Sequence, residues 1–505
     1  MADNHLIAAL RGPTTDRGRD AFATLPDGTT VTFGDFFAGA ERIAAALMQG
    51  GLAPGDRVAA QVAKSMTALQ LYVGTVLAGG VFLPLNTGYQ AVELRHFVTD
   101  AEPAIFVCDP GAKADISALT AALVLTLDAA GAGTLSDWAS AQAPGQAPVP
   151  RGVDDLAAIL YTSGTTGKPK GAMLSHGNLA SNSRTLADAW AFTAADILIH
   201  ALPIFHTHGL FVATNVALMA GAGVIFQPGF DAAAVLDAMP RATALMGVPT
   251  FYTRLLQQEG LAKAAKHMRL FVSGSAPLLA ETHAAWESAT GHRILERYGM
   301  TETNMNTSNP YAGERRAGTV GPPLPGVDLR LTDGKGTPVP LGEPGIVEVR
   351  GANVFQGYWK LPEKTAEELL PDGFFVTGDI GELSDDGYLS IIGRAKDLVI
   401  SGGYNVYPKE VELLIDDQPG VVESAVIGVP HPDFGEGVVA VVVPRAPGAT
   451  NADVILAAIG PGLARYKHPK RIFLVDELPR NTMGKVQKNL LRDTYGATFT
   501  PGPAS

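Results

Sequence analysis

The sequence is short of cysteine, of charge and of uninterrupted hydrophobic runs. Its one cysteine, Cys108, excludes a disulfide framework and any metal site built from several cysteines, and it fits a reducing compartment. Charged residues make up 17% of the 505 residues and hydrophobic residues 46%, so the chain is not intrinsically disordered. A chain of this length predicts about two to four structural units.

Basic residues are in deficit, since 38 Lys and Arg stand against 50 Asp and Glu. A general nucleic-acid binder has the opposite balance, so we expect no nucleic-acid partner. The formal net charge of −12 repels anions, and an anionic substrate must therefore meet local cations.

Two stretches without Asp, Glu, Lys or Arg, residues 65–92 and 197–230, are long enough to be considered as membrane spans. Glycines and prolines interrupt both stretches, and three histidines lie in the second. We therefore predict a buried helix followed by a buried strand in the first stretch, and no membrane span in either. The first ten residues lack the basic start and long apolar region of a signal peptide, so we expect a cytoplasmic protein with no membrane partner.

Short apolar runs alternate with amphipathic stretches through most of the chain. This alternation is typical of parallel sheets covered by helices. From about residue 319 to 392, short β-type runs are separated by turn residues and predict a small β subdomain. The chain then returns to a mixed pattern, with predicted helices at 410–415 and 452–463 and predicted strands at 421–429 and 437–443.

These patterns predict an α/β fold with two domains. The large N-terminal domain, residues 1–395, is expected to hold two parallel-type sheets with helices and the small β subdomain. The C-terminal domain, residues 396–505, is expected to be a small, mobile α+β domain.

The densest local signal is Tyr-Thr-Ser-Gly-Thr-Thr-Gly-Lys-Pro-Lys-Gly at residues 161–171, directly after an apolar run at 156–160. Glycines let a backbone present its N–H groups to an anion, and hydroxyl groups and lysines add donors and charge. The segment is not a Walker A loop, because Pro169 rather than Ser or Thr follows Lys168. Its composition predicts a phosphate-binding loop, with a flexible surface hairpin as the alternative.

This loop resembles the signature loop of the adenylate-forming superfamily, which includes acyl-CoA synthetases, luciferases and peptide-synthetase adenylation domains. Further segments resemble other motifs of that superfamily, in the expected order: Tyr-Gly-Met-Thr-Glu-Thr at 298–303, Phe-Val-Thr-Gly-Asp at 375–379, Gly-Arg-Ala-Lys-Asp at 393–397, Ser-Gly-Gly-Tyr-Asn at 401–405 and Pro-Arg-Asn-Thr-Met-Gly-Lys at 479–485. The resemblance therefore extends over nearly the whole chain.

The resemblance implies a two-step reaction in which a carboxylate attacks the α-phosphate of ATP and coenzyme A then displaces AMP from the acyl-adenylate. It implies ATP, Mg²⁺ and coenzyme A as cofactors or co-substrates. Lys485 is the implied catalytic cation, Thr301 the implied partner of the α-phosphate, and Glu302 both a catalytic residue and the implied Mg²⁺ ligand. Lys488 lies three residues beyond Lys485, and although spacing does not separate the two, the Gly-Lys context favours Lys485.

The resemblance also implies a nucleotide site. Tyr298 is expected to stack on adenine, Asp379 to accept hydrogen bonds from both ribose hydroxyls, and Arg394 to reach the ribose. The C-terminal domain is expected to swing about the hinge residue Lys396, so that Gly402 and Gly403 flank the pantetheine arm. The other expected cofactor-binding residues are Thr162, Ser163, Gly164, Thr165, Thr166, Gly167, Lys168, Ser275, Ala276, Pro277 and Gly299.

Ile-Phe-His-Thr-His-Gly-Leu at residues 204–210 resembles the superfamily segment whose first histidine faces the acyl site. The resemblance makes His206 the residue that closes or opens that site, whereas His208 is expected to be structural. The expected substrate-binding residues are His206, Thr207, Arg254, Ser275, Arg297 and Met305.

A predicted helix with Thr250 as its N-cap corresponds to the superfamily helix that lines the acyl pocket. Arg254 lies about one turn after Phe251, and an arginine that points into the pocket requires an anionic partner. A substrate with a second carboxylate supplies one. The alternative is an Arg254 that faces outward to Gln258 or to solvent.

Taken together, these segments most resemble those of malonyl-CoA synthetases. We therefore predict ligation of malonate to coenzyme A, with methylmalonate as a second substrate. Two alternatives stay open: a short-chain monocarboxylate acyl-CoA synthetase and an adenylation enzyme that loads a carrier protein. The segment at 479–485 also resembles sites where CoA synthetases are switched off by lysine acylation, so a lysine acetyltransferase and a deacetylase are the expected protein partners of Lys485.

Overall fold

The computed structural model describes residues 4–162, 169–402, 404–460, 463–481 and 485–499. Six predicted phosphate-loop residues, 163–168, and Gly403 lie outside the described residues. The chain forms two compact units: an N-terminal unit of Met1–Leu329 with Val349–Phe375, and a C-terminal unit of Arg330–Glu348 with Val376–Ser505. The predicted boundary after residue 395 and the hinge beside it stay predictions.

The strands in the described residues are, in chain order, β1 (Ala21–Thr24), β2 (Thr30–Thr32), β3 (Arg57–Gln61), β4 (Val81–Pro84), β5 (Ile105–Cys108), β6 (Leu123–Thr126), β7 (Leu156–Thr162), β8 (Lys170–Ser175), β9 (Ile197–His200), β10 (Gly223–Phe226), β11 (Ala244–Gly247), β12 (Leu270–Ser273), β13 (Leu295–Met300), β14 (Asn304–Ser308), β15 (Val327–Thr332), β16 (Gly345–Gly351), β17 (Phe375–Leu383), β18 (Leu389–Arg394), β19 (Val399–Ser401), β20 (Tyr404–Val406), β21 (Val421–His431), β22 (Gly435–Pro444) and β23 (Arg471–Leu474).

The α-helices are α1 (His5–Arg11), α2 (Phe33–Gln49), α3 (Met66–Leu77), α4 (Ala91–Ala101), α5 (Lys113–Leu119), α6 (Thr134–Ser140), α7 (His176–Ala189), α8 (Asn215–Ala220), α9 (Ala232–Ala238), α10 (Pro249–Leu255), α11 (Leu261–Ala264), α12 (Ala280–Thr290), α13 (Pro362–Glu368), α14 (Pro408–Asp416), α15 (Ala452–Ile459) and α16 (Lys488–Tyr495).

A six-stranded sheet of the N-terminal unit has the order β6-β5-β3-β4-β7-β8, parallel except for the antiparallel pair β7–β8. The unit β3-α3-β4 occupies the first charge-free stretch, as a buried helix followed by a buried strand. Ser65 caps α3, because its side chain accepts a hydrogen bond from the backbone N–H of Ala68. In the part of the chain that is described, no helix combines the length and apolar character needed to cross a membrane.

An eight-stranded sheet of the same unit has the order β14-β13-β12-β11-β9-β10-β1-β2. The six inner strands are parallel, and an antiparallel strand closes each edge. Because parallel strands end at the same edge of a sheet, the segments that follow β9, β11, β12 and β13 begin side by side. This is the edge at which α/β sheets usually bind their ligands.

The two smaller sheets have the orders β15-β16-β17-β18 and β20-β19-β22-β21, with β23 parallel to β22 in the second. Alternate residues of β21 and β22 enter two separate cores. Ile427 and Val441 pack with Leu491 of α16 on one face, and Val426 and Val442 pack against α14 and α15 on the other. The period of two thus gives the five-stranded sheet a buried surface on both sides.

These sheets confirm the predicted fold class, with two large, mostly parallel sheets, a small β region and a C-terminal α+β region. The predicted N-cap of α10 is wrong: the helix begins at Pro249, and Val248 is its N-cap. Proline suits the first helical position, because the N–H group it lacks has no partner there.

Cys108 ends β5 in the core of the six-stranded sheet, and burial raises the pKa of its thiol to about 11. A thiolate is the reactive form of cysteine. We therefore expect Ellman's reagent to find no reactive thiol in the native protein and one thiol per chain after denaturation. Rapid reaction of the native protein would show that this core opens locally.

Candidate active site

Four predicted segments follow four neighbouring parallel strands of the eight-stranded sheet. Residues 201–208 follow β9, α10 follows β11, residues 274–277 follow β12, and Thr301 with Glu302 follow β13. Although these segments lie far apart in the sequence, they begin next to one another at this edge of the sheet. The structure thereby brings the predicted acyl-site, adenine and metal segments into one region of the N-terminal unit.

Arg297 of β13 is a cation buried in this region. It is 3% exposed, and its Nε and Nη2 have no hydrogen-bond partner among the described residues. The guanidinium lies directly over Gly274, where an added Cβ would be 2.4 Å from Arg297 Cζ. Burial lowers the pKa of Arg297 to about 9, because removal from water disfavours its charged form.

The loop after β12 joins Arg297 to the histidine segment. Ser275 has a φ of 72°, a left-handed conformation that is rare for a residue with a side chain, and its Oγ lies 3.2 Å from His208 Nδ1. Burial, followed by the charge of Arg297, keeps the pKa of His208 well below its ordinary value. His208 is therefore neutral and adds no second charge beside the arginine.

Thr207 and His206 lie in the segment after β9, and Met305 lies on β14 beside β13. Thr207 is buried, and its Oγ1 has no hydrogen-bond partner among the residues described. His206 is half-buried, with its ring edge-on to Phe205 at 4.6 Å between centroids. Met305 is buried on β14, opposite Gly299 of β13.

Arg254 has an exposed side chain on α10. Phe251 of the same helix is buried and stacks on Phe230 at 3.8 Å between ring centroids. The argument that a buried arginine needs an anionic partner therefore applies to Arg297 rather than to Arg254. Substrate binding by Arg254 stays a prediction.

Glu302 is buried in a network of four side chains that the sequence patterns did not single out as a group. The Tyr358 hydroxyl lies 3.0 Å from Glu302 Oε1 and 2.6 Å from Glu368 Oε2. Lys170 Nζ lies 3.5 Å from Glu368 Oε1 and 4.0 Å from the centre of the Tyr358 ring. The network joins the predicted metal ligand to the strand that follows the phosphate loop.

The described ends of the phosphate loop are held in place by residues far away in sequence. His96 Nε2 lies 3.0 Å from the Pro169 carbonyl oxygen, and the Tyr161 hydroxyl donates to Asp100. Thr162, the first predicted phosphate-loop residue, lies opposite Lys170 in the β7–β8 pair. These contacts bring the two ends of the loop together.

Of the other predicted nucleotide-site residues in the N-terminal unit, Tyr298 and Gly299 lie on β13, and Thr301 is half-buried just after it. Ala276 is half-buried and Pro277 is exposed in the loop after β12.

In the C-terminal unit, Asp379 and Arg394 lie opposite each other on β17 and β18 and form a salt bridge of 2.9 Å between Oδ1 and Nε. Burial, followed by the charge of Arg394, lowers the pKa of Lys396 to about 8. Gly402 has a φ of 61°, which favours glycine, and its N–H donates to the Phe434 carbonyl.

Lys485 and Lys488 have different surroundings in the structure. Lys488 pairs with the buried Glu412, with 2.6 Å between Nζ and Oε1, and Glu412 also accepts the backbone N–H of Val426. Lys485 is exposed; its backbone N–H donates to Asn481 Oδ1, and its carbonyl oxygen accepts the Asn481 N–H. Lys488 therefore has a structural partner in Glu412, whereas Lys485 is exposed to solvent.

Two features of the site gave no usable sequence signal. Tyr358 lies 56 residues from Glu302 in the chain, and its motif, Gly-Tyr-Trp, is ordinary. His200 ends β9 of the eight-stranded sheet, and Lys64, which contacts it at 2.9 Å, lies three residues after β3 of the six-stranded sheet. Long-range pairs of this kind are set by topology, and a single sequence does not display topology.

Comparison with known proteins identifies the class. The AMP-binding enzyme family matches residues 13–359, and the AMP-binding enzyme C-terminal domain matches residues 410–485. The chain belongs to the AMP-binding enzyme family, which confirms the resemblance to the adenylate-forming superfamily.

Particular relatives cover almost all of the chain. Malonate–CoA ligase of Arabidopsis thaliana is 33% identical, covering 97% of this chain and 90% of its own length. Feruloyl-CoA synthase of an Amycolatopsis species is 36% identical, covering 94% and 96%. The crystal structure of ATP-bound MatB from Rhodopseudomonas palustris is 57% identical, with a TM-score of 0.97, and covers 99% of this chain and 100% of that one.

Proposed function

We propose that this enzyme ligates malonate to coenzyme A at the expense of ATP, with release of AMP and pyrophosphate. A malonate–CoA ligase is among its relatives, and a structure similar over the whole chain was solved with ATP. The feruloyl-CoA synthase shows that identity in this range does not by itself fix the acid. The choice of malonate therefore depends on the site.

The observation that carries the proposal is the buried Arg297. Buried polar groups in proteins are nearly always paired, and a buried charge without a partner is costly. The second carboxylate of malonate supplies a bidentate partner for Nε and Nη2. A monocarboxylate of the same size leaves the guanidinium unpaired, and this difference selects the dicarboxylate.

The reaction follows from two displacements. A carboxylate oxygen of malonate attacks the α-phosphorus of ATP, and the bond from that phosphorus to the bridging oxygen of pyrophosphate breaks. The thiol sulfur of coenzyme A then attacks the acyl carbon, the bond to the AMP oxygen breaks, and the thiol proton is released. In the first step we assign Lys485 to the charge that develops at the phosphates and Thr301 to the α-phosphate.

The remaining residues position the reactants. Tyr298 is assigned to adenine, and Asp379 with Arg394 to the ribose. His206 and Thr207 are assigned to the acid, with Met305 beside its C2 substituent. Arg254, Gly402 and the hinge at Lys396 keep the roles that the resemblance implies.

A Mg²⁺ site fits Glu302. No group of three or more His, Cys, Asp or Glu side chains that could hold a metal ion occurs in the described parts of the chain. Mg²⁺ is commonly held by one or two carboxylates together with substrate phosphates, and a single buried carboxylate that receives a hydrogen bond from Tyr358 suits that arrangement. When bound, the ion supplies positive charge to the phosphate oxygens.

The function is tested by pyrophosphate release with ATP, Mg²⁺ and a panel of malonate, methylmalonate, acetate, butyrate and ferulate, each with and without coenzyme A. We expect malonate to give the highest kcat/KM, methylmalonate to be used less well, and malonyl-CoA to form. A preference for butyrate would favour the short-chain synthetase, and turnover that ignores coenzyme A would favour carrier loading.

Acetylation of Lys485 is expected to inactivate the first step, because it removes the charge assigned to the phosphates. The exposed side chain is accessible to an acetyltransferase. Treatment with a lysine acetyltransferase and acetyl-CoA, followed by mass mapping, should locate the mark on Lys485, and a deacetylase should restore activity. Full adenylation activity in fully acetylated enzyme would refute this regulation.

A further inference from the structure

Lys64 is buried in the N-terminal unit, and in the described part of the chain no carboxylate forms an ion pair with it. It follows β3 of the six-stranded sheet and is 9% exposed. Its Nζ lies 2.9 Å from His200 Nδ1 and 2.7 Å from the His200 carbonyl oxygen, at the end of β9 in the eight-stranded sheet. Removing an amine from water is unfavourable in free energy, and a hydrophobic side chain of similar size would be less destabilising at this position.

The other side of the His200 ring contacts a turn of π-helix, His208–Thr214. Its Nε2 lies 3.0 Å from the Gly209 carbonyl oxygen and 3.0 Å from Thr214 Oγ1. Because the Lys64 amine donates to Nδ1, the neutral imidazole carries its proton on Nε2 and presents it to Gly209. Without the lysine, Nδ1 loses its donor and only the Gly209 carbonyl still favours this tautomer; the other tautomer places a lone pair against that carbonyl.

The Gly209 carbonyl belongs to the turn that carries the predicted acid-site histidines. The Leu210 N–H donates to the His206 carbonyl, and the turn is so close to Pro203 that a Cβ on Gly209 would lie 1.9 Å from the Pro203 oxygen. π-Helical turns are rare and are concentrated at functional sites. A displacement of Gly209 must therefore move His206 and His208.

We propose that Lys64 is a positioning residue for the acid site. Acting through His200, it stabilises the tautomer that holds the π-helical turn, and the turn holds His206, Thr207 and His208 against the acid. The inference rests on the proposed assignment of this segment to the acid.

The test compares the KM for the acid with the KM for ATP in Lys64→Met, using whichever acid the wild type uses best. This choice keeps the test valid if malonate is not that acid. We expect kcat/KM for the acid to fall about 10–100-fold through a higher KM, because small displacements of positioning groups have effects of this size. The KM for ATP should not rise and the melting temperature should not fall, since methionine fills the space of the lysine stem.

Lys64→Gln and His200→Phe complete the experiment. Glutamine retains an N–H donor, so Lys64→Gln should raise the acid KM less than Lys64→Met, and it serves alone if the methionine variant does not fold. In the His200→Phe background, Lys64→Met should have little further effect, because the lysine acts through the histidine. An unchanged acid KM, equal rises in both KM values, losses that follow the melting temperature, or additive effects with His200→Phe would each overturn the proposal.

Discussion

Arg297→Met is expected to lower kcat/KM for malonate about 10²–10³-fold, because removing one partner of a buried charge pair costs at least a few kcal/mol. The variant puts an apolar side chain where the second carboxylate of malonate is proposed to bind. Isovalerate has the shape of malonate with an isopropyl group in place of the second carboxylate, so its use relative to malonate should rise. The KM for ATP should change little, because Arg297 is not assigned to the nucleotide.

Arg254→Ala is the matched comparison for this prediction, since it removes an exposed arginine predicted to act on the same carboxylate. A malonate preference that survives Arg297→Met would contradict the role of Arg297. If Arg254→Ala alone then abolished the preference, the second carboxylate would bind at Arg254. Melting curves for both variants separate these outcomes from a loss of folded protein.

Lys485→Ala is expected to slow adenylate formation about 10²–10³-fold, the usual effect of removing one group that stabilises charge in a transition state. Thioester formation from supplied malonyl-adenylate and coenzyme A should change little, because the pyrophosphate has already left. The two half-reactions are measured separately, as pyrophosphate release and as thioester formation.

Lys488→Ala provides the control in the same segment. Lys488 pairs with the buried Glu412, so its loss should lower the melting temperature through an unpaired buried carboxylate and spare the chemistry of the folded enzyme. Equal losses of rate in both half-reactions of Lys485→Ala would contradict the assignment of Lys485 to adenylate formation alone. A normal adenylation rate in that variant would transfer the role to Lys488.

Much of the fold could be predicted from local patterns. The charge-free stretch before residue 92 forms α3 and β4, because buried parallel strands and their crossover helices are apolar on all sides. The start of α10 was predicted two residues too late, since Pro249 and Thr250 both suit a helix N-terminus. The strand pairings and the order of the sheets carry no local signal.

The candidate site could be predicted where chemistry is concentrated in short motifs, as around Glu302 and Lys485. The direction in which a single side chain points could not be predicted from the sequence. Arg254 and Phe251 are three residues apart on a seven-residue helix, yet one is exposed and the other buried, because tertiary packing decides which edge of the helix faces inward. Arg297 lies in a strand with no local sign that its Nε and Nη2 lack hydrogen-bond partners among the described residues.

The account depends most on recognition of a second negative charge by Arg297. The direct measurement is kcat/KM of the wild-type enzyme for malonate and for malonamate, which has the same size and replaces the far carboxylate with a neutral amide. We predict that malonate is preferred by at least about 10²-fold, because malonamate leaves the buried guanidinium without a counter-charge. Equal values for the two acids, or a preference for malonamate, would contradict the account.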